Sequence, residues 1–465
     1  MPKARPLAAT PSPTGAPAPR VGRFDLLRLL LIGMIVYIPN QELFKIQFTV
    51  KGLNVINVLF LVTLAVLMAR DIHARTAPPL KAPMFFLFAV LVYAFFLGQT
   101  YDSSLMLEDF TALKNMIFFM LLYFLYFRAV QDLQTVKLLF AVILFVTFVA
   151  SVQGLRQALD YGITSYNETR RVAAPFGWGV YNANRSAIFF VVYLPLFAGV
   201  AMFWRKDARW LRWACYGCLF LGVFVTFFTY SRQSYFIMAV LALYLTFRKN
   251  WFVAIAIFVA LVNFEAWAPE TVTERLLSTE QTEQPTTIPA DGGGEGKYDE
   301  STESRLVIWA AAGELIAERP WGIGLNHFKR EIGTYAPRYR NMDAHSNYVL
   351  ITTEAGLLGP VALVWLMLSL LWLGWRTGRL DTAPETRVIG VAYTASVIAV
   401  MMGNIYGSRF FDGDLMGNFW ILTALVAKYA ALVKAAQAEA KLAGAGKAAA
   451  AGPGGRPRPR RSMYA

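Results

Sequence analysis

Runs of about twenty apolar residues return again and again along this chain, and that is the length a helix needs to cross a hydrocarbon core. A segment inside lipid must satisfy its own backbone N–H and C=O groups, so each such run is expected as an α-helix. They fall near residues 26–38, 53–69, 83–98, 111–127, 137–153, 185–204, 210–229, 233–247, 251–267, 346–375, 386–405 and 415–433. The composition agrees: of 465 residues, 56% are hydrophobic and 16% charged, with a mean hydropathy of +0.44, too few charges to cover a soluble protein of this size. The expected fold is an all-α polytopic membrane protein of about twelve transmembrane helices, without a cleavable signal peptide.

Orientation follows from lysine and arginine, which short loops keep on the cytoplasmic side. The loops with Arg70, Arg75 and Lys81, with Arg205, Lys206, Arg209 and Arg212, with Arg248 and Lys249, and with Arg376, Arg379 and Arg387 all fall on one side. Both tails are basic as well, which requires an even number of crossings. The net charge of +14 is therefore accounted for by topology and anionic headgroups, and nucleic acid is not an expected partner. Cys215 and Cys218 lie inside one apolar run and read as small apolar fillers.

Five regions result: a disordered cytoplasmic tail over 1–23, nine helices within 24–267, a long distal loop over 268–345, three helices within 346–433 and a disordered basic tail over 434–465. Shorter distal loops are expected at 99–110 and 154–184. Within the long loop, 280–303 is acidic and glycine-rich, a composition that favours a solvated segment. After it, Leu306, Trp309, Gly313 and Ile316 recur at helical spacing until Pro320, which suggests a surface helix.

Chemistry gathers on the distal side. His327 and His345 belong to the long loop, and His345 stands in "DAHSNYVLITTEAGLLG", where the chain turns back into a span. Arg232 in "TYSRQSYF", Arg185 in "NANRSAIFF" and Arg305 at the start of the surface helix share that side. The plain reading is an interfacial histidine with arginines snorkelling to headgroups, or pairing with Glu168 or Glu354. The functional reading is a phosphate site, because a guanidinium offers a planar fork of donors and keeps its charge. Asn347 and Arg338 are secondary candidates. Glu108 with Asp109, and Asp412 with Asp414, are acidic pairs of the kind that hold Mg²⁺ or Mn²⁺ elsewhere; solvated loops are the simpler reading, so neither a metal nor a cofactor is expected.

The run "SRLVIW…AERPWGIGLNHF", then "HSNYVLITTEAGLLG", with "TYSRQSYF" upstream, resembles the O-antigen ligase family of Gram-negative bacteria, within the O-antigen ligase and polymerase superfamily. The resemblance implies a glycosyltransferase C-like membrane fold in the inner membrane. It implies a metal-independent enzyme whose active face is periplasmic and which moves O-antigen from undecaprenyl diphosphate to a sugar hydroxyl of the lipid A core. It also implies that His345 is the general base and that Arg232 and Arg305 serve the diphosphate; Arg185 is assigned there by placement.

With a diphosphate leaving group and one base, a single displacement with inversion is expected. A retaining route would want a carboxylate nucleophile paired with an acid, and none accompanies His345. A polymerase, or an oligosaccharyltransferase acting on protein hydroxyls, stays open within the superfamily. A lipid-linked glycan transporter is the alternative from another class, although carriers commonly show inverted repeats.

Overall fold

A computed structural model of the protein describes residues 25–44, 54–70, 76–163, 167, 169–277 and 300–450. Arg75, Glu168, the tail before Asp25, most of 280–303 and the tail after Ala450 lie outside them. The described residues form helices and no strands. In order these are α1 (Leu26–Tyr37), α2 (Gln41–Phe44), α3 (Val55–Ala69), α4 (Lys81–Tyr101), α5 (Met106–Ala129), α6 (Leu133–Tyr161), α7 (Val180–Phe203), α8 (Arg209–Phe227) and α9 (Arg232–Lys249). Then come α10 (Trp251–Val262), α11 (Glu270–Leu277), α12 (Glu300–Glu318), α13 (Phe328–Tyr335), α14 (Asn347–Ala355), α15 (Leu358–Thr377), α16 (Pro384–Gly403) and α17 (Gly413–Ala450).

Short polar side chains mark the starts. Asp25, Asn54, Asp132 and Ser346 each accept a backbone N–H from the first turn of α1, α3, α6 and α14, which satisfies a donor the helix itself cannot.

Each of the twelve expected spans coincides with helix, and nine described helices, counting α1 and α2 as one, are long and apolar enough to cross a membrane. The helices α3 and α10, with 15 and 12 residues, rise about 22 and 18 Å at 1.5 Å per residue, less than a hydrocarbon core of about 30 Å. The centre is α7, α16 and α17, whose apolar windows are 94%, 78% and 72% buried, against 22% for α8. In lipid the hydrophobic effect does not drive helices together, so close approach at small residues and polar contacts must. A Cβ on Gly199 of α7 would stand 2.7 Å from the Ala392 Cβ of α16. Tyr193 of α7 donates to Leu415 O at 3.2 Å, and Tyr393 of α16 to Thr423 at 3.0 Å.

Four boundaries differ from those expected. The run 346–375 is two helices, because Gly356 (φ +62°) breaks it where Pro320 and Trp321 cross; a Cβ there would lie 2.4–2.6 Å from their backbone. The last helix continues past 433 to Ala450, since the alanine and lysine counted as tail are strong helix formers. The expected loop at 99–110 shrinks to the turn between Tyr101 and Met106, and the one at 154–184 begins only after Tyr161. Finally, α12 forms, but Ser304, Ile308, Ala311, Ala312 and Leu315 face the protein, with Leu306 and Gly313 exposed. Of the expected stripe, Trp309 and Ile316 are half-buried, and Trp309 packs on the cluster that α12 forms with α13 and α14.

Candidate active site

The C-terminal end of α16 is where the site assembles. Its last carbonyls, Met402 O and Gly403 O, accept Gln233 Nε2 at 3.0 and 2.9 Å, which latches the first turn of α9, and so Arg232, to this point. Asn404 O accepts the Asn347 N–H at 3.0 Å and Asn404 Oδ1 the Arg409 N–H at 3.0 Å. Three stretches distant in sequence, 230–233, 345–347 and 407–409, therefore meet at one helix end. Two of them turn sharply through non-glycine residues in the left-handed region, Tyr230 at φ +48° and His345 at φ +51°, a conformation that clusters at functional sites.

His345 is held from two sides. Its N–H donates to Asp343 Oδ2 at 3.2 Å, and Trp309 Nε1 donates to the preceding carbonyl, Ala344 O, at 2.8 Å. Trp309 also stacks on Tyr406, with ring centres 5.5 Å apart. Arg305 lies one turn before Trp309 on α12, hence on the same face. Burial pushes the His345 imidazole below its ordinary pKa, and the positive charge of Arg305 adds to that; Asp343 opposes it, while Arg409 and Lys329 push the same way. A half-buried neutral imidazole beside cations is suited to accept a proton near neutral pH.

Arg185 is brought to the same end and is engaged there. Its Nε and Nη2 bond Asp412 bidentately, both at 2.7 Å, Nη2 also bonds Asp414 at 3.0 Å, and Nη1 bonds Asn182 at 3.2 Å. The guanidinium lies 4.5 Å from the Phe176 ring centre. Asp412 and Asp414, weighed in the sequence as a metal pair, thus hold a guanidinium. Arg409, which sequence reasoning passed over, stacks 4.4 Å from the Tyr181 ring centre and lies 3.9 Å from Asp412. Asn404, equally unremarked, joins the pieces while buried to 1% exposure.

Asn347 Nδ2 and Ser408 Oγ are buried here without a hydrogen-bond partner among the described residues. An unsatisfied buried polar group costs about 1–3 kcal/mol, and such groups at a site suit donors that meet a substrate. Arg338 is exposed on the turn Pro337–Tyr339, its guanidinium 5.7 Å from the Tyr339 ring centre.

A second polar cluster lies where the long loop meets α4 and α5. Asp109, fully buried while its neighbour Glu108 is exposed, accepts from Arg330 at 2.5 Å, Asn326 at 3.0 Å and Gln99 at 3.1 Å, with His327 Nε2 at 3.3 Å. The reading of this acidic pair as a solvated loop is corrected, since Asp109 is a buried anchor. Leu325 N–H reaches Ala94 O of α4 at 2.9 Å. Any Cβ on Gly324 (φ +102°) would stand 2.1 Å from Gly98 Cα, so this "GIG" glycine is required by close backbone approach. Glu354 of α14, suggested in the sequence as an arginine partner, instead accepts Phe328 N–H at 3.3 Å, and complete burial raises its pKa to about 8.

No curated protein matches the chain in a sequence comparison. Residues 217–364, from within α8 into α15, match the family model described as O-antigen ligase. That stretch carries Arg232, Arg305 and His345 and leaves out Arg185 and Arg409. Over those residues, the match supports the resemblance to the O-antigen ligase family that the motifs carry.

Proposed function

We propose that this protein is the glycosyltransferase that ligates O-antigen from undecaprenyl diphosphate onto a sugar hydroxyl of the lipid A core, working at the periplasmic face of the inner membrane. The observation that carries the reading is the convergence of the Arg232, His345 and Arg409 stretches on the end of α16, with the Arg305 charge felt at His345. In this reading the long loop 268–345 is the periplasmic element that completes the site.

The acceptor hydroxyl oxygen attacks the anomeric carbon while the bond from that carbon to the diphosphate oxygen breaks. The hydroxyl proton passes to neutral His345, and undecaprenyl diphosphate leaves with the electron pair. Arg232 and Arg305 stabilise its growing negative charge, preorganised as such sites require, and the N-terminus of α9 adds positive potential at Arg232. Arg185, with four of its five N–H groups engaged, holds the turn carrying Arg409 and has one N–H left for a diphosphate oxygen. Asn347 offers its amide to the substrate. One displacement inverts the anomeric centre and needs no metal.

Transfer in vitro from purified lipid-linked donor to lipid A core tests this. Wild type is expected to give product of inverted configuration in the presence of EDTA, and His345→Ala none. Retained configuration, or full turnover by the variant, would overturn the mechanism. Donor chains that grow longer without any appearing on lipid A would mark a polymerase instead.

A further inference from the structure

At the membrane face opposite His345, a groove of about 750 Å³ opens between α15, α17 and the stretch Thr76–Leu80 that leads into α4. On α15 its wall is Leu368, Trp372 and Arg376, and on α17 it is Ala427, Ala430 and Lys434. These residues follow one another by three or four positions, so each set lines one helix face. The two helices run in the same direction, since α16 crosses back between them. Each therefore presents about two turns of apolar wall that ends in a cation, and the two cations come at the same end.

Neither cation has a carboxylate within ion-pair distance among the described residues, and no carboxylate lines the groove. The charge of Arg376 is felt at Lys434. Two like charges facing each other over an apolar trough call for an anion whose remainder is hydrocarbon. The basic loops put this end on the cytoplasmic side, where anionic headgroups attract lysine and arginine. Alanines on α17 leave the room that a chain of methylenes would fill.

We propose that this groove is a binding site for an anionic phospholipid of the inner leaflet, with its phosphate between Arg376 and Lys434 and an acyl chain against Trp372 and Ala430. The site is separate from the transfer site, which lies at the other ends of the helices, and it does not rest on the reading of that site.

Native mass spectrometry of the detergent-purified protein, titrated with dioleoyl phosphatidylglycerol or dioleoyl phosphatidylethanolamine, tests the proposal. Wild type should hold one phosphatidylglycerol in preference to phosphatidylethanolamine. The double variant R376Q/K434Q should bind phosphatidylglycerol roughly thirtyfold more weakly, as expected for two headgroup-facing cations. Ala430→Leu, which fills the trough and leaves both charges, should lose the lipid as well, with thermal unfolding in detergent confirming that it folds. Equal binding of the two lipids, undiminished binding by the double variant, or undiminished binding by a folded Ala430→Leu protein would each overturn the proposal.

Discussion

The long loop carries two histidines, and the surroundings of each are opposite. His327 is 1% exposed and lies against Asp109, which also holds Arg330 and Asn326, so cation and carboxylate answer one another inside a sealed knot. His345 is half-buried at the end of α16, with Arg305, Arg409 and Lys329 pressing positive potential on it and Asp343 the carboxylate that opposes them. The same residue types make an anchor in one place and a cationic rim in the other. What separates them is the balance of charge: a satisfied knot has nothing left to offer a substrate, whereas a cationic rim still attracts an anion.

Exchanging each histidine tests that contrast most strongly. His345→Ala is expected to cut turnover by about 10²–10⁴-fold, the usual worth of a positioned acid or base, with thermal unfolding unchanged. His327→Ala should do the reverse and lower the unfolding temperature while activity per folded molecule persists. Equal losses of activity in the two would erase the distinction.

Asp109→Ala removes the acceptor from a buried cluster and leaves Arg330 without its counter-charge. Breaking a buried pair from one side costs about 3–5 kcal/mol, to be read as lost folded yield in a detergent melt. A variant as stable as wild type would mean that the knot does not hold the loop.

Glu354 gives a pH signature to the knot side. Its folded pKa of about 8 lies above its ordinary value of 4.5, so between those limits the folded chain keeps a proton that the unfolded chain has lost. Stability should then fall as pH rises through that window and level off above it. Glu354→Gln, neutral at every pH, should flatten the fall, and melts across the range would show whether it does.

The smallest effect concerns the rim. Because burial and nearby cations hold His345 below its ordinary pKa, the acid limb of the pH–rate profile should lie below about 6.5. Lys329→Gln removes one of the weaker cations and should move that limb slightly upward. A shift downward would contradict the direction of the field at the imidazole.

Much of this is legible in the amino-acid sequence alone. Helices at every expected span follow from apolar runs that lipid leaves no other way to fold, and His345, Arg232, Arg185 and Arg305 drew notice because ionisable side chains near lipid are costly to keep. Asn404 and Arg409 did not, since an asparagine at a helix end and an arginine in a short loop carry no signal until the stretches they join are seen together. Asp109 looked like half of an exposed acidic pair because its partners lie more than two hundred positions away in Asn326, His327 and Arg330.

Local chemistry thus determined which segments are helical, where they begin and which residue types stand at the distal ends, because hydropathy, capping and charge act over a few turns. Only the tertiary structure decided which charges meet. Whether a carboxylate reaches Arg185 or Arg330, and whether a histidine is sealed or left open, depends on helix ends converging across the bundle, and no spacing along the chain encodes that distance.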